Sequence, residues 1–374
     1  MRVLVISNGY GEDAMAAVLA RELSKHVDVE ALPTVGAGNA YSGICEIVGP
    51  RGDLASEGHR KVGSLLKDFK HGLALTAVGH IKYLRENKAR WDKFVTVGDM
   101  IGPLLAKTCG ITIDLHIDVY NSGYARQYSW AEKQAIKRTA KKVLCRDDVL
   151  AGSLRAIDVD AGYAGNLMMD TVPEIDVDLT PLIGDAHAVT LMPGSREGAS
   201  KQFRLQIEAL SRLSVKFPIV GLVPVAPSVE LVELIKSTGL RRVDETPIAP
   251  SHLAIAELPD GTKIHFFNKG VGTLAKASLL AVGQIGTALF QSAGLGTPVV
   301  AIVADDARPN RVARNERMMG ESRVSAEQDV GMLARKMEIY LSDPKATCER
   351  GKVGIERIGQ PGALDAAVRI LTGV

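Results

Sequence analysis

A turn suited to binding a diphosphate follows a strongly apolar run in the second half of the chain. The run Leu191–Arg196 reads LMPGSR and leads into a helical pattern that starts near Lys201. Such a turn at a helix N-terminus offers backbone N–H groups to an anion, and a serine hydroxyl and a guanidinium add further donors. The sequence therefore predicts that Gly194, Ser195 and Arg196 bind phosphate. The alternative is an ordinary β-turn with a capping serine.

A second turn of this kind lies about ninety residues further along the chain. Gly286 and Thr287 follow an apolar run and enter a helical pattern, and Gln291 lies one turn later on the same helical face. This spacing predicts that Gly286 and Thr287 face a phosphate and that Gln291 faces a ribose. A plain strand–helix–strand crossover is the alternative.

The N-terminal loop Ser7–Ala14 carries two adjacent acids, Glu12 and Asp13, after a glycine-rich turn. It also matches the loose dinucleotide pattern GxGxxA, with Glu30 at a distance suited to a ribose. Two carboxylates at that helix N-terminus would repel a pyrophosphate, so the acids are expected to orient an acceptor hydroxyl instead. The alternative is that both acids only complement the helix dipole.

A single aspartate, Asp99, follows the apolar run that ends at Val97-Gly98 and precedes a helical pattern. Ligands of open α/β sheets gather at the carboxyl ends of strands, which makes Asp99 a candidate general base. An N-cap aspartate is the alternative. The histidines show no metal-ligand spacing, and the two DxD matches, at Asp158–Asp160 and Asp176–Asp178, lie before a predicted strand and in a predicted linker, so no metal is expected. No cofactor is expected either.

The elements that must position these residues are short apolar runs alternating with helical patterns. This alternation predicts an α/β protein with two similar domains in tandem. The predicted organisation is an N-terminal domain at 1–170, a linker at 171–185, a C-terminal domain at 186–360 and a final helix at 361–374, which could pack on the N-terminal domain.

Charge and hydropathy narrow the function classes. A formal net charge of +2 argues against nucleic-acid binding through bulk charge. The N-terminus lacks the pattern of a signal peptide and no window is apolar enough for a membrane span, which predicts a cytoplasmic protein. Residues 58–93 carry about nine Lys/Arg against about three acids, interleaved with apolar residues. This stretch suits peripheral adsorption to an anionic membrane, with a solvated helix face as the alternative.

Taken together, the motifs resemble the lipid-A-disaccharide synthase superfamily, and most closely its branch of lipid-A-disaccharide synthase-related glycosyltransferases. The resemblance covers almost the whole chain, in the family's order. The matching pieces are Ser7–Asp13, Gly36–Tyr41, Val97–Asp99, Gly165–Asp170, Leu191–Arg196 and Gly286–Gln291.

The resemblance implies a GT-B fold, in which two Rossmann-like domains face a central cleft and the C-terminal domain holds a nucleotide sugar, with UDP as the expected nucleotide. It implies inverting, metal-independent transfer, with Asp99 as the base and Glu12 or Asp13 as alternates, and it places Asn166 on the donor side. Gln291 departs from the glutamate of the true lipid A synthases, which leaves sugar and acceptor open.

Three other readings stay open at this point. A nucleotide-sugar epimerase or hydrolase could use the same fold, a non-catalytic protein could bind the nucleotide sugar without turnover, and an NAD-dependent oxidoreductase would rest on the GxGxxA loop alone. The sequence leaves the oligomeric state undetermined.

Overall fold

The computed structural model describes residues 1–51, 73–194 and 198–373. The chain divides into two compact units. The first unit comprises Met1–Thr171 together with Gly359–Val374, and the second comprises Val172–Ile358. The segment predicted as a linker, 171–185, therefore lies almost entirely within the second unit.

The first unit is built on seven parallel strands. In the sheet they follow the order β3-β2-β1-β4-β5-β6-β7, and β1 is buried along its length after its first residue, as expected for a strand covered on both faces. The strands span Arg2–Ser7 (β1), Asp28–Pro33 (β2), Glu46–Ile47 (β3), Lys93–Gly98 (β4), Leu115–Asp118 (β5), Val143–Leu144 (β6) and Ala161–Gly162 (β7).

Helices connect these strands, and local sequence sets several of their ends. Ser129 and Glu132 form a capping box at the start of one helix, and the Asp147 side chain caps the next. The helices span Tyr10–Leu23 (α1), Leu73–Asn87 (α2), Ile101–Cys109 (α3), Trp130–Thr139 (α4), Asp148–Arg155 (α5) and Leu167–Asp170 (α6), with 3₁₀ turns at Asn39–Tyr41 and Lys88–Arg90.

The second unit has an eight-stranded sheet in the order β10-β11-β12-β9-β8-β13-β14-β15. β11 is antiparallel to both of its neighbours, and all other pairs are parallel. The strands span His187–Met192 (β8), Ile219–Val225 (β9), Arg241–Val243 (β10), His252–Glu257 (β11), Lys263–Asn268 (β12), Leu280–Gln284 (β13), Val299–Ile302 (β14) and Arg323–Ala326 (β15).

The main core of the second unit lies between this sheet and its helices. Phe203 and Phe266 meet edge to face there, with their ring centroids 5.8 Å apart. The helices span Thr180–Ile183 (α7), Ala199–Ser214 (α8), Leu231–Lys236 (α9), Val271–Lys276 (α10), Thr287–Gly294 (α11), Pro309–Met319 (α12), Val330–Leu341 (α13) and Pro344–Ile358 (α14), with a 3₁₀ turn at Gly320–Ser322.

The C-terminal helix Ala363–Thr372 (α15) packs on the first unit. The Asp170 carboxylate accepts hydrogen bonds from the backbone N–H groups of Gly362, at 2.6 Å, and Leu364, at 3.0 Å. Lys93 donates to the carbonyl oxygen of Leu371 at 2.6 Å. These bonds complete the first unit with the last residues of the chain.

Strand boundaries differ from the sequence prediction in a few places. The predicted strand Ile111–Leu115 lies at Leu115–Asp118 instead, because Ile113 is buried in an isolated bridge to Ala140 rather than in a strand. An apolar residue is buried equally well in either arrangement, so the pattern could not separate them. The short strands β3, β10 and β15 carry too few apolar residues in sequence to be predicted.

Each sheet reverses its strand order at one place. In the first unit β1 is followed by β2 on one side, whereas β4 lies on its other side. In the second unit β8 is followed by β9 on one side, and β13 lies on the other. Ligands of open α/β sheets bind outside the carboxyl ends of the strands at such switch points. Ligand-binding residues are therefore expected in the loops after β1, β4, β8 and β13.

Candidate functional site

The first switch point brings Asp99 together with Asn8. Asp99 follows β4 and is 9% exposed. Its Oδ1 accepts hydrogen bonds from the Asn8 side-chain amide and from the backbone N–H of Ile101, each at 2.8 Å. In return, the backbone N–H of Asp99 donates to the amide oxygen of Asn8 at 3.2 Å. The predicted base thus lies at the expected sheet edge with its carboxylate held in one orientation.

Asp13 is placed differently from a group that meets a substrate. It lies in the first turn of α1, is 2% exposed, and accepts a 2.6 Å hydrogen bond from the Ser7 hydroxyl. The Tyr41 hydroxyl lies 2.6 Å from the Ser7 oxygen. Burial raises the pKa of Asp13 to about 6, against the opposing effects of the Ser7 bond and a backbone bond from Gly9. This geometry favours Asp13 as a buried support of the loop.

Glu12, the other acid of this loop, is half-buried at the helix start. Its carboxylate lies against Gly9, where a Cβ would come within 2.4 Å of Glu12 Oε2. Gly9 also has a φ of 153°, a backbone conformation that favours glycine. Of the two alternates, Glu12 is the more accessible.

Glu30 is occupied within the fold, which weakens the dinucleotide interpretation. Its carboxylate accepts hydrogen bonds from the Trp91 indole at 2.9 Å and from the Arg90 guanidinium at 3.2 Å. A ribose-reading acid must be exposed beside the glycine loop, whereas Glu30 is buried in mid-strand. Glu30 therefore gives no support to the dinucleotide interpretation of the GxGxxA loop.

The neighbouring strand β5 contributes a buried polar network that the sequence pattern does not reveal. Asp118 accepts hydrogen bonds from the backbone N–H groups of Tyr120 and Asn121 and from the Tyr128 hydroxyl. His116, which is fully buried, lies 2.8 Å from the Thr96 hydroxyl through Nδ1. Burial lowers the pKa of His116 against the opposing charges of Asp118 and Asp99. The network shapes the 119–129 loop beside Asp99.

Within this network only Asp118, the last residue of the run DLHID at 114–118, has a position along the sequence that could have indicated it. Asp118 ends β5 as Asp99 follows β4, and Gly98 and Asp118 are register partners in adjacent strands. Tyr128 lies ten residues further on in a loop, and only the folded loop brings it to Asp118.

The second switch point carries the first predicted phosphate turn. β8 ends at Met192, and Gly194 is exposed with a φ of 94°, a conformation that favours glycine. Ser195 and Arg196 lie outside the described residues. The carbonyl of Met192 accepts a 3.0 Å hydrogen bond from the side-chain amide of fully buried Gln206 on α8.

The second predicted phosphate turn follows β13, the neighbour of β8. Gly286 and Thr287 are exposed at the start of α11, and no atom lies within 4 Å of the position that a Cβ on Gly286 would occupy. The start of α11 is therefore exposed at the switch point, and a helix start that binds an anion must be exposed in this way. Gln291, one turn further along, is only 4% exposed. Its side chain would have to turn outward to make the predicted ribose contact.

Asn166 lies in the first unit. It is 1% exposed, its side-chain oxygen caps α6 through the N–H of Met168 at 3.1 Å, and its own N–H donates to the carbonyl of Gln360 at 2.7 Å. These contacts support a structural capping role at the junction with the C-terminal segment, and the donor-side role remains a prediction.

The basic stretch 58–93 is described only in part. Residues 58–72, which carry Arg60, Lys61, Lys67 and Lys70, lie outside the described residues. Within the described part Arg85, Lys88 and Lys93 donate to backbone carbonyls and Arg90 to Glu30. These four cations are thus held on the fold, and adsorption to a membrane stays a prediction.

The described residues form neither a metal-binding cluster nor a membrane-spanning helix. Over 1–51, 73–194 and 198–373, no group of three or more His, Cys, Asp or Glu side chains is arranged to hold a metal ion. Within the same ranges, none of the helices combines the length and the apolar character needed to cross a bilayer.

The chain resembles solved structures of the GT-B fold along its whole length, although its sequence matches neither a protein-family model nor a curated protein. The UDP-GlcNAc 2-epimerase from Neisseria meningitidis bound to UDP-GlcNAc has a TM-score of 0.56 and 14% identity, with 100% of both chains covered. MurG from Acinetobacter baumannii has a TM-score of 0.58, 13% identity and the same coverage. The glycosyltransferase SnogD from Streptomyces nogalater has a TM-score of 0.55, 15% identity and the same coverage. The chain therefore has the α/β GT-B fold.

Proposed function

We propose that the protein is an inverting, metal-independent glycosyltransferase that moves a sugar from a nucleotide donor, a UDP-sugar, to a lipid or membrane-associated acceptor. The GT-B fold supports a nucleotide-sugar enzyme of this class, since glycosyltransferases are among the neighbours. The finer assignment to the lipid-A-disaccharide synthase-related branch rests on the order of the sequence motifs.

One observation carries the proposal: Asp99 stands at the switch point of the first sheet with its carboxylate held by Asn8 and by the N–H of Ile101. A general base must be held within reach of the proton that it removes. In the proposed reaction Asp99 takes the proton of an acceptor hydroxyl while that oxygen forms a bond to the anomeric carbon.

The leaving group is the nucleoside diphosphate, whose bond to the anomeric carbon breaks as the new bond forms. Attack from the opposite face inverts the configuration. The first-turn N–H groups at Thr287, the turn at Gly194 and the side chains of Ser195 and Arg196 are proposed to take up the charge that grows on the diphosphate. Gln291 is proposed to bind the ribose after a change of rotamer.

The acceptor is the least constrained part of the proposal. A lipid or membrane-associated acceptor is supported by the motif order and by the basic and apolar composition of 58–93. Peripheral association with an anionic membrane would bring the enzyme to such an acceptor.

A nucleotide-sugar epimerase or hydrolase is a second candidate function, favoured by the UDP-GlcNAc 2-epimerases among the neighbours. Such an enzyme would act on the donor without an acceptor. We therefore propose to incubate the protein with UDP-GlcNAc, with and without a bacterial membrane lipid extract. UDP released only with extract indicates transfer, UDP released without it indicates hydrolysis, and a changed sugar configuration in the intact donor, read by NMR, indicates epimerisation.

The donor site can be tested apart from turnover by calorimetric titration with UDP. Gly286→Val should fold, because the φ of Gly286 is extended and its Cβ position is open, yet the new side chain would fill the proposed phosphate site. Gly162→Val is a matched control, since its Cβ position on the first unit is equally open. Loss of UDP binding in the first variant alone is expected. Equal binding by both variants would show that the site lies elsewhere.

The base is tested by Asp99→Asn, with Asp160→Asn as control at the exposed amino end of β7. Loss of the base should lower turnover about 100-fold or more. The UDP affinity should be unchanged, because the proposed nucleotide site lies on the other unit. Full activity of Asp99→Asn would exclude Asp99 as the base.

A further inference from the structure

Asn8 makes a reciprocal pair of hydrogen bonds with Asp99, although 91 positions separate them. Its Nδ2 donates to Oδ1 of the carboxylate at 2.8 Å, and its Oδ1 accepts from the Asp99 backbone N–H at 3.2 Å. One side chain thus contacts both the main chain and the functional group of the proposed base.

The pair also determines which way the Asn8 amide points. A flipped amide would set its oxygen against the carboxylate and its NH₂ group against a backbone N–H, so both contacts would become repulsive. An aspartate at position 8 would likewise place two carboxylates side by side. Both a donor and an acceptor are therefore needed here, and an asparagine supplies them from one planar group.

The backbone around the pair is built for this close approach. A Cβ on Gly98 would lie only 1.7 Å from Oδ1 of Asn8, and Gly98 has a φ of 142°. Only glycine leaves room for the amide directly before Asp99 and adopts this backbone without strain. The ends of β1 and β4 are thus fitted to each other through the Asn8 side chain.

The residue before Asn8, Ser7, is fixed by two side-chain hydrogen bonds. The Ser7 hydroxyl donates to buried Asp13 at 2.6 Å and lies 2.6 Å from the Tyr41 hydroxyl. Since the carboxylate can only accept, the chain of hydrogen bonds runs from Tyr41 to Ser7 to Asp13 while Asp13 is ionised. This chain links Ser7, the residue before Asn8, to the first turn of α1 and to the 39–41 turn.

We propose that Asn8 is a positioning residue for the transfer reaction: it holds the Asp99 carboxylate in the orientation in which it receives the acceptor proton. The inference rests on the proposed function of Asp99. Asn8 itself takes no proton and acts through Asp99, so its contribution should vanish when Asp99 is replaced.

The test is a double-mutant cycle of Asn8→Ala and Asp99→Asn, with UDP-GlcNAc and membrane lipid extract as the probe. Because a small misplacement of a catalytic group lowers the rate strongly, Asn8→Ala should reduce kcat by about 10-fold to 100-fold. KM for UDP-GlcNAc should stay within about twofold, and Asn8→Ala should change kcat by less than about twofold in the Asp99→Asn background. A structural role would instead lower kcat in both backgrounds.

A second measurement tests the pairing without turnover. Asn8→Asp should lower Tm, because two carboxylates then meet, and Asn8→Asp with Asp99→Asn should regain part of that Tm, because the repulsion between two charges is removed. The recovery should be partial, since Oδ1 of residue 99 also accepts the N–H of Ile101 and an NH₂ group in its place would lose that bond. The recovered double variant should remain inactive, since the carboxylate has moved to the wrong strand. Failure of Tm to recover would contradict the pairing.

The outcomes separate this inference from the proposed function. Full activity of Asp99→Asn would overturn the role of Asp99 as base, and the positioning role with it. An inactive Asp99→Asn combined with a fully active Asn8→Ala, or with additive losses in the cycle, would overturn the positioning role of Asn8 alone.

Discussion

Acidification is expected to destabilise the second unit through a buried pair of histidines, His252 and His265. Each is 3% exposed, and Nδ1 of His265 lies 3.3 Å from Nε2 of His252. The backbone N–H of Ile248 donates to Nδ1 of His252 at 3.2 Å. His252 must therefore carry its proton on Nε2 and donate it to Nδ1 of His265. Both Nδ1 atoms are already acceptors, which leaves them poorly placed to take a further proton.

The pKa shifts give the sign and size of the effect. Burial lowers the pKa of His265 from 6.5 to about 4, with the neighbouring His252 and Lys263 acting in the same direction and Glu245 opposing. The unfolded chain then binds more protons, so this stability is present above pH 6.5 and is lost as the pH falls toward 4. Linkage gives a loss of about 2 kcal/mol between about pH 7.5 and about pH 5.

Urea unfolding followed by two probes can assign this loss to the second unit. Both tryptophans of the chain, Trp91 and Trp130, belong to the first unit, so fluorescence follows that unit, while far-UV circular dichroism follows both. His265→Gln keeps an acceptor for His252 and removes the titrating ring. We expect this variant to lose about 2 kcal/mol less than wild type on acidification, in the dichroism transition only.

His187→Gln, at the half-buried start of β8, is the control for a histidine of the same unit outside the pair. It should lose the same free energy on acidification as wild type. If His265→Gln also loses as much as wild type, the buried pair does not account for the acid sensitivity and the reasoning is wrong.

Three further outcomes follow from local contacts. Gln206→Leu removes the donor to the Met192 carbonyl, and at about 1 kcal/mol for one hydrogen bond it should weaken UDP binding about fivefold in titration calorimetry. The control is Gln202→Leu on the same helix, whose side chain bonds to Gln328 instead, and it should leave the UDP affinity unchanged. Gly283→Ala brings a Cβ within 2.9 Å of Met192 Cβ and 3.0 Å of its oxygen, so Tm should fall with a loss of about 1 to 3 kcal/mol, and an unchanged Tm would contradict the packing. Asp13→Asn removes a carboxyl whose pKa is raised to about 6. As the pH rises from about 4.5 to about 7.5, the wild type but not the variant should therefore lose about 2 kcal/mol of unfolding free energy in the fluorescence transition.

Local pattern was sufficient for the α/β class and for the position of several candidate residues along the chain. Asp99, Gly194 and Thr287 each follow an apolar run through a glycine-containing turn, and the structure places all three at the carboxyl ends of strands. A strand, a turn and a helix start are set within about ten neighbouring residues. For this reason local sequence is enough to predict that these residues lie at the edges of the sheets.

Only the folded structure decides which strand ends lie side by side within each sheet and which side chains are buried there. The order of strands places β4 beside β1, and only this brings Asn8 to Asp99. The same folding buries Asp13 against Ser7 and pairs Glu30 with Trp91, although both acids were candidates for chemistry from the sequence alone. Pairings between distant positions depend on sheet order and helix packing, which no local spacing encodes.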